Sequence, residues 1–242
     1  AVLENLAFAD EIIVVDSHST DGTIEKIKAQ GKVTLLLHPF ENYTAQKSFA
    51  MAQARHDWIL FLDADERLTP ELKNEILSTI RTEEQETVAY YFRRTFMFKN
   101  KKLRFSGWQS DKNYRLFRKS KVAFANDRIV HETLIVDGKS SVLKNKLIHY
   151  SYKNYEDYKE KMIRYGHMKA KEELARGASP NPFHFLIKPA FKFVHHYIIR
   201  LGFLDGTKGV VICYLNALSV YARYQELNRL KKTIPKDENG ER

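Results

Sequence analysis

"WILFLDADE", Trp58 to Glu66, runs from apolar residues into three acids within nine positions. A short apolar run of this kind reads as a buried strand, and nothing in folding alone asks such a strand to end in clustered carboxylates. An earlier stretch repeats the pattern: "EIIVVD", Glu11 to Asp16, is rich in β-branched residues and closes on an acid followed by the turn chemistry of "SHSTDGT". The elements around these two strands alternate. Thr23 to Ala29 reads as a helix ended by Gly31, Val33 to Leu37 as a strand, Ala45 to Ala54 as a helix, and Trp58 to Leu62 as the third strand. Pro70 then opens a helix carrying Leu72, Ile76, Leu77 and Ile80. Alternation of this kind predicts an α/β fold with a mostly parallel sheet covered by helices on both faces, and such sheets bind ligands beyond the carboxyl ends of their strands.

The chain has 242 residues and a formal net charge of +10, distributed unevenly. Residues 1–92 carry 8 Lys/Arg against 16 Asp/Glu, residues 93–150 carry 15 against 4, and residues 151–242 carry 17 against 10. An acidic first part followed by basic segments fits a phosphorylated substrate, an anionic membrane surface or a nucleic acid. The single cysteine, Cys213, forms no intramolecular disulfide, so a reduced cytoplasmic setting is the expectation. The nearly uncharged run from Gly209 to Ala222 is too short to span a bilayer.

Asp16 stands at the end of the first strand, and Asp63, Asp65 and Glu66 at the end of the third. Each acid alone is explained equally well as a turn or helix cap. Together, an Asp-x-Asp after an apolar strand and a second acidic strand end upstream suit Mg²⁺ or Mn²⁺ bridging a diphosphate.

These stretches, with "RLFR" (Arg115 to Arg118) and "VHE" (Val130 to Glu132), resemble family 2 glycosyltransferases of the nucleotide-sugar-dependent, GT-A-folded type. "GFLDGTKG", Gly202 to Gly209, is similar to the branch that includes lipopolysaccharide core β-glucosyltransferases. The resemblance implies that Asp16 contacts the base or ribose of the donor, Asp63 the ribose or diphosphate, and Asp65 the divalent metal, with a UDP-sugar as the favoured donor. A GT-A-like catalytic domain is expected over 1–150, followed over 151–242 by a helical, basic extension that associates with membrane. Members of the family usually begin with a strand that lies mid-sheet. Here "AVLENLAFADEIIVV" leads from a helix end directly into a strand, so an N-terminally incomplete, less stable form with weakened donor binding is expected.

Inverting transfer needs a base for the acceptor hydroxyl and a cation for the leaving diphosphate. Glu132 is the favoured base and Asp111 the other candidate, with His131 beside the donor phosphates and Trp108 as a stacking face for a sugar. Arg115 and Arg118 are read as one basic strand face serving phosphate, because arginine offers a bidentate fork. In the last third, Tyr155 to Leu174 is periodic as a helix. "FHFLIKPAFKFVHHYIIRLGF", Phe183 to Phe203, reads either as a helix packed on the catalytic domain or as an interfacial helix on anionic lipid. The expected acceptor is a glycan or glycolipid in cell-envelope synthesis, reached from the cytoplasmic side. A metal-dependent nucleotidyltransferase is the enzymatic rival, and a nucleic-acid-binding module the non-enzymatic one.

Overall fold

In a computed structural model, residues 2–82, 86–107, 112–124, 134–152 and 154–233 are described. A short helix α1 (Val2–Asn5) precedes β1 (Ile13–Asp16), α2 (Thr23–Lys28), β2 (Thr34–Leu37), α3 (Tyr43–Gln53), β3 (Trp58–Leu60), β4 (Glu66–Arg67) and α4 (Pro70–Arg81). Then come β5 (Thr87–Phe98), β6 (Lys101–Leu103), β7 (Lys112–Arg118), β8 (Val122–Phe124), β9 (Leu134–Val136) and β10 (Lys139–Tyr152). The chain ends in three helices, α5 (Tyr155–Ala175), α6 (Pro182–Val194) and α7 (Thr207–Thr233). Helix starts follow the local chemistry: Asn42, Thr69, Asn154 and Asn181 each accept a backbone N–H of the first turn, and Pro70 and Pro182 occupy first-turn positions where no N–H is required.

The chain divides into two compact units, residues 1–95 with 110–150, and residues 96–109 with 151–242. The second unit thus takes in the segment 96–109, which lies inside the 1–150 domain expected from sequence.

In the first unit β1 and β2 pair in parallel as a two-stranded sheet. The larger sheet has the order β3-β7-β5-β10-β4, and its pairings of defined register are antiparallel. The α/β class holds, but most pairings of defined register are antiparallel, with β1 and β2 the parallel pair among them. The antiparallel pairs include neighbours joined by short connections, as β5 and β6 are, whereas parallel neighbours need a crossover of a dozen or more residues. β5 and β6 are joined by Lys99 and Asn100, both at positive φ (47° and 57°), the geometry of a tight hairpin. Among the described residues, β1 and β3 each have one paired edge. Leu72 and Ile76 of α4 pack with Tyr90, Phe92, Leu116, Leu143 and Leu147 to form the core of this unit.

In the second unit Phe96, Phe98 and Leu103 pack with Tyr158 and Met162 of α5 and with Ile212 and Leu215 of α7. Further along, Ala170 packs with Val220, Tyr224 and Leu227. α5 and α7 approach so closely that a Cβ on Gly166 would lie 2.6 Å from the Ser219 carbonyl oxygen. After α6 the chain makes a π turn (His195–Ile199) and a 3₁₀ turn (Gly202–Asp205) before α7.

The "GFLDGTKG" motif is built into this corner as structure. Asp205, 8% exposed, accepts the backbone N–H groups of Arg104 (3.0 Å) and Phe105 (2.9 Å) and the Ser106 hydroxyl (3.2 Å). A Cβ on Gly209 would sit 1.8 Å from the Gly202 carbonyl oxygen, so no larger residue fits without moving backbone.

Candidate functional site

The carboxylates after β3 are gathered by two antiparallel pairings. β3 runs against β7 with Leu60 opposite Leu116, and one step further the Phe61 N–H donates to the Arg115 carbonyl at 2.7 Å. β4 runs against β10 with Glu66 opposite His149, and the Tyr150 N–H donates to the Asp65 carbonyl at 2.8 Å. Arg115 and His149 are thereby brought from distant sequence to the Asp63–Glu66 turn.

Arg115 is a buried strut. One of its terminal nitrogens donates to Asp63 Oδ2 at 2.6 Å and to Glu66 Oε1 at 2.7 Å. Glu66 is fully buried; its other oxygen accepts the Asp63 N–H at 3.1 Å, and Arg94 stands 3.5 Å from Oε1. A buried carboxylate without cations would be costly, and here two guanidinium groups compensate it. Burial pushes the Asp63 carboxyl up, but Arg115, Lys47 at 3.7 Å, His149 and Arg94 outweigh it and hold its pKa down at about 2. Asp63 is therefore a fixed anion at neutral pH.

Asp65 is about as open as Asp63, 40% exposed, but has a different partner. Its side chain is 37% exposed, and Oδ2 lies 3.2 Å from His149 Nε2. Among the described residues no group of three or more His, Cys, Asp or Glu side chains converges as a metal cage. A cation shared with a diphosphate needs only one or two protein ligands, and an exposed carboxylate beside an imidazole is a donor set that suits Mn²⁺. Asp65, with His149, fits that role; Asp63 does not, since cations already engage both of its oxygens.

His149 was not singled out from the sequence. The signal is faint but real: Leu143, Leu147 and His149 share the inward face of β10 at a period of two, and all three are buried. A histidine at such a position asks for a partner.

The expected single basic face is corrected. Residues three apart in a strand point to opposite faces. Arg115 is buried among carboxylates, whereas Arg118 stacks over the Trp58 ring (4.8 Å) and reaches Asp57 at 3.4 Å. Arg118 thus lies at the far end of β3 from Asp63, and Arg115 is already committed, so neither is presented as an exposed phosphate ligand. Asp16 is 7% exposed, and its Oδ1 accepts the Ser19 N–H at 2.7 Å, closing the turn after β1. Asp111, His131 and Glu132, with Trp108, lie outside the described residues.

A cleft of about 220 Å³ adjoins the Asp63 cluster, with Lys47, Arg115 and Asn113 at its polar end and Phe61, Phe117 and Phe124 at its apolar end. Tyr91 and Tyr114, stacked at 3.7 Å, form one wall.

The site is thus a carboxylate-bearing turn at the end of β3 in an α/β unit. Residues 1–170 match Glycosyl transferase family 2, and the chain belongs to that family and has its GT-A-like fold. It is 31% identical over 242 residues to the uncharacterized glycosyltransferase RC0292 of Rickettsia conorii, covering 95% of this chain and 83% of the relative. It is 26% identical to the lipopolysaccharide core biosynthesis glycosyltransferase LpsC of Rhizobium meliloti, covering 92% and 86%. Among solved structures, S. aureus TarS 1–349 in complex with UDP aligns over 96% of this chain and 86% of that one, at 16% identity and a TM-score of 0.43.

Proposed function

We propose that this glycosyltransferase moves a sugar from a nucleoside-diphosphate sugar, a UDP-sugar first among those to try, onto a lipopolysaccharide-core or similar lipid-anchored glycan, with inversion at the anomeric carbon. The observation that carries the reading is the pair of carboxylates that follows β3, Asp63 held by Arg115 and Lys47, and Asp65 beside His149. The likeness to LpsC over most of both chains supports the choice of acceptor.

Asp63 and its cations make a rigid, charge-balanced floor, so that Asp65 and His149 keep one orientation when a donor arrives. Asp65 and His149 would hold Mg²⁺ or Mn²⁺, which would supply charge neutralisation at the leaving diphosphate. Glu132 is the proposed base, taking the proton of the acceptor hydroxyl as it attacks, with Asp111 the other carboxylate to test. Asp16 is proposed to meet the nucleoside. An acceptor anchored in a bilayer also requires peripheral contact with the anionic inner face of the cytoplasmic membrane.

Turnover of a panel of UDP-, GDP- and ADP-sugars in the presence of truncated core glycolipids tests the reading. Transfer from one sugar nucleotide, lowered about 10²–10⁴-fold by Glu132→Gln and made metal-independent or lost in Asp65→Asn, is the expected result. Consumption of nucleoside triphosphates in preference to sugar nucleotides would overturn it in favour of a nucleotidyltransferase.

A further inference from the structure

α6 and the turns that follow it are inside out. Between Phe183 and Leu204 every exposed residue is apolar, with Leu186 (71%), Phe191 (68%) and Ile199 (67%) the most open. The polar residues of the same stretch are the partly covered ones. His184 stacks on Tyr224 at 4.5 Å, Lys188 donates to the Tyr224 hydroxyl at 2.7 Å, and Lys192 is held among other cations. Ordinary surface helices show the opposite arrangement. The stripe is continuous: Ile187, Phe191, Val194 and Ile198 follow at intervals of four, three and four, and the π turn keeps Ile198 and Ile199 outward together.

We infer that this face is an interfacial docking surface for an anionic phospholipid bilayer, with α6 lying in the headgroup plane. The inference rests on the membrane-contact part of the proposed function and names the surface that makes it. Charge selects the occupant. The second unit carries 21 Lys/Arg against 10 Asp/Glu, a net charge of +11. A second copy docked about a two-fold axis would bring two such cationic units together, whereas anionic lipid attracts one. Among the described residues no helix is long and apolar enough to cross a membrane, and α6 has 13 residues, so the geometry is that of a helix lying on the surface.

The test is co-sedimentation of the full chain with vesicles of phosphatidylcholine alone and of phosphatidylcholine mixed with phosphatidylglycerol. It reads no sugar transfer, so its failure leaves the catalytic reading untouched. Binding is expected to the mixed vesicles, weakening as salt shortens the Debye length. The triple variant Phe191→Asp/Ile198→Asp/Ile199→Asp should bind on the order of 100-fold more weakly, since three apolar side chains no longer enter the interface. Unchanged melting of the triple variant verifies that the loss is not unfolding. The inference is overturned if the wild-type chain ignores the mixed vesicles or binds neutral ones equally well. It is overturned too if the chain sediments as a dimer that the triple variant converts to monomer.

Discussion

α4 and α6 are close to equal in length, 12 and 13 residues, and are built from the same instructions. Each begins with a side-chain cap and a first-turn proline, and each carries apolar residues at spacings of three and four. α4 turns that stripe inward, burying Leu72 and Ile76 while Glu71, Asn74 and Ser78 meet solvent. α6 turns it outward and buries none of its residues fully. Periodicity therefore defines a stripe but not the direction it faces. Direction is decided by what the opposite face can offer: in α6 His184, Phe185 and Lys188 find the aromatic rings of Tyr221 and Tyr224, so the polar side pays for its own partial burial. The same contrast holds for cations. Arg115 in the first unit meets two carboxylates, while Lys192 in the second meets mostly other cations.

The sharpest way to break the comparison is to place one charge on each stripe. Leu72→Asp puts a carboxylate at a fully buried position without a partner, and we expect a loss of at least about 4 kcal/mol in urea unfolding. A loss under 1 kcal/mol would mean that α4 is not seated as described.

Acid and alkali should then act on different units. Asp63 has a folded pKa of about 2 against an ordinary 3.8, so its contribution is complete above that ordinary value and is lost as pH falls from there through about 2. Because its side chain is 40% exposed, solvent screening reduces this contribution to about 1 kcal/mol. The difference in unfolding free energy between wild type and Asp63→Asn should shrink by that amount over this window. For Lys192 the folded pKa lies below 10.5, so the charged form is the one the fold disfavours. That penalty is present at neutral pH and is relieved as pH rises through the folded pKa toward 10.5, the unfolded chain holding its proton longer. Any stability advantage of Lys192→Met over wild type should therefore fade with rising pH.

The smallest effect belongs to Leu186→Asp on the exposed stripe of α6, within about 0.5 kcal/mol of wild type in the absence of lipid. A large loss there would show that α6 is covered in solution.

Much of this was legible from the residues. β1, α4 and α5 fall where their patterns place them, because strong apolar periodicity and capping residues act locally. The partners of the strands were not, since nothing near Trp58 announces that β7, more than fifty residues on, will lie beside it antiparallel. Arg115 and Arg118 were grouped by proximity in sequence although a strand's alternation separates them. His149 escaped because a single histidine in a β-strand becomes informative only once β4 brings Asp65 against it. Asp205 was legible as part of a motif but not as a structural ligand of backbone 100 residues away.

That last separation has a consequence for synthesis. Arg104 leaves the ribosome well before Asp205, and at about 5–20 residues per second the 101 intervening positions impose a wait of roughly 5–20 s. During that interval the N–H groups of Arg104 and Phe105 have no native acceptor, and Phe96, Phe98 and Leu103 have no α7 to cover them. The core around this hairpin is thus completed only once α7 has been made.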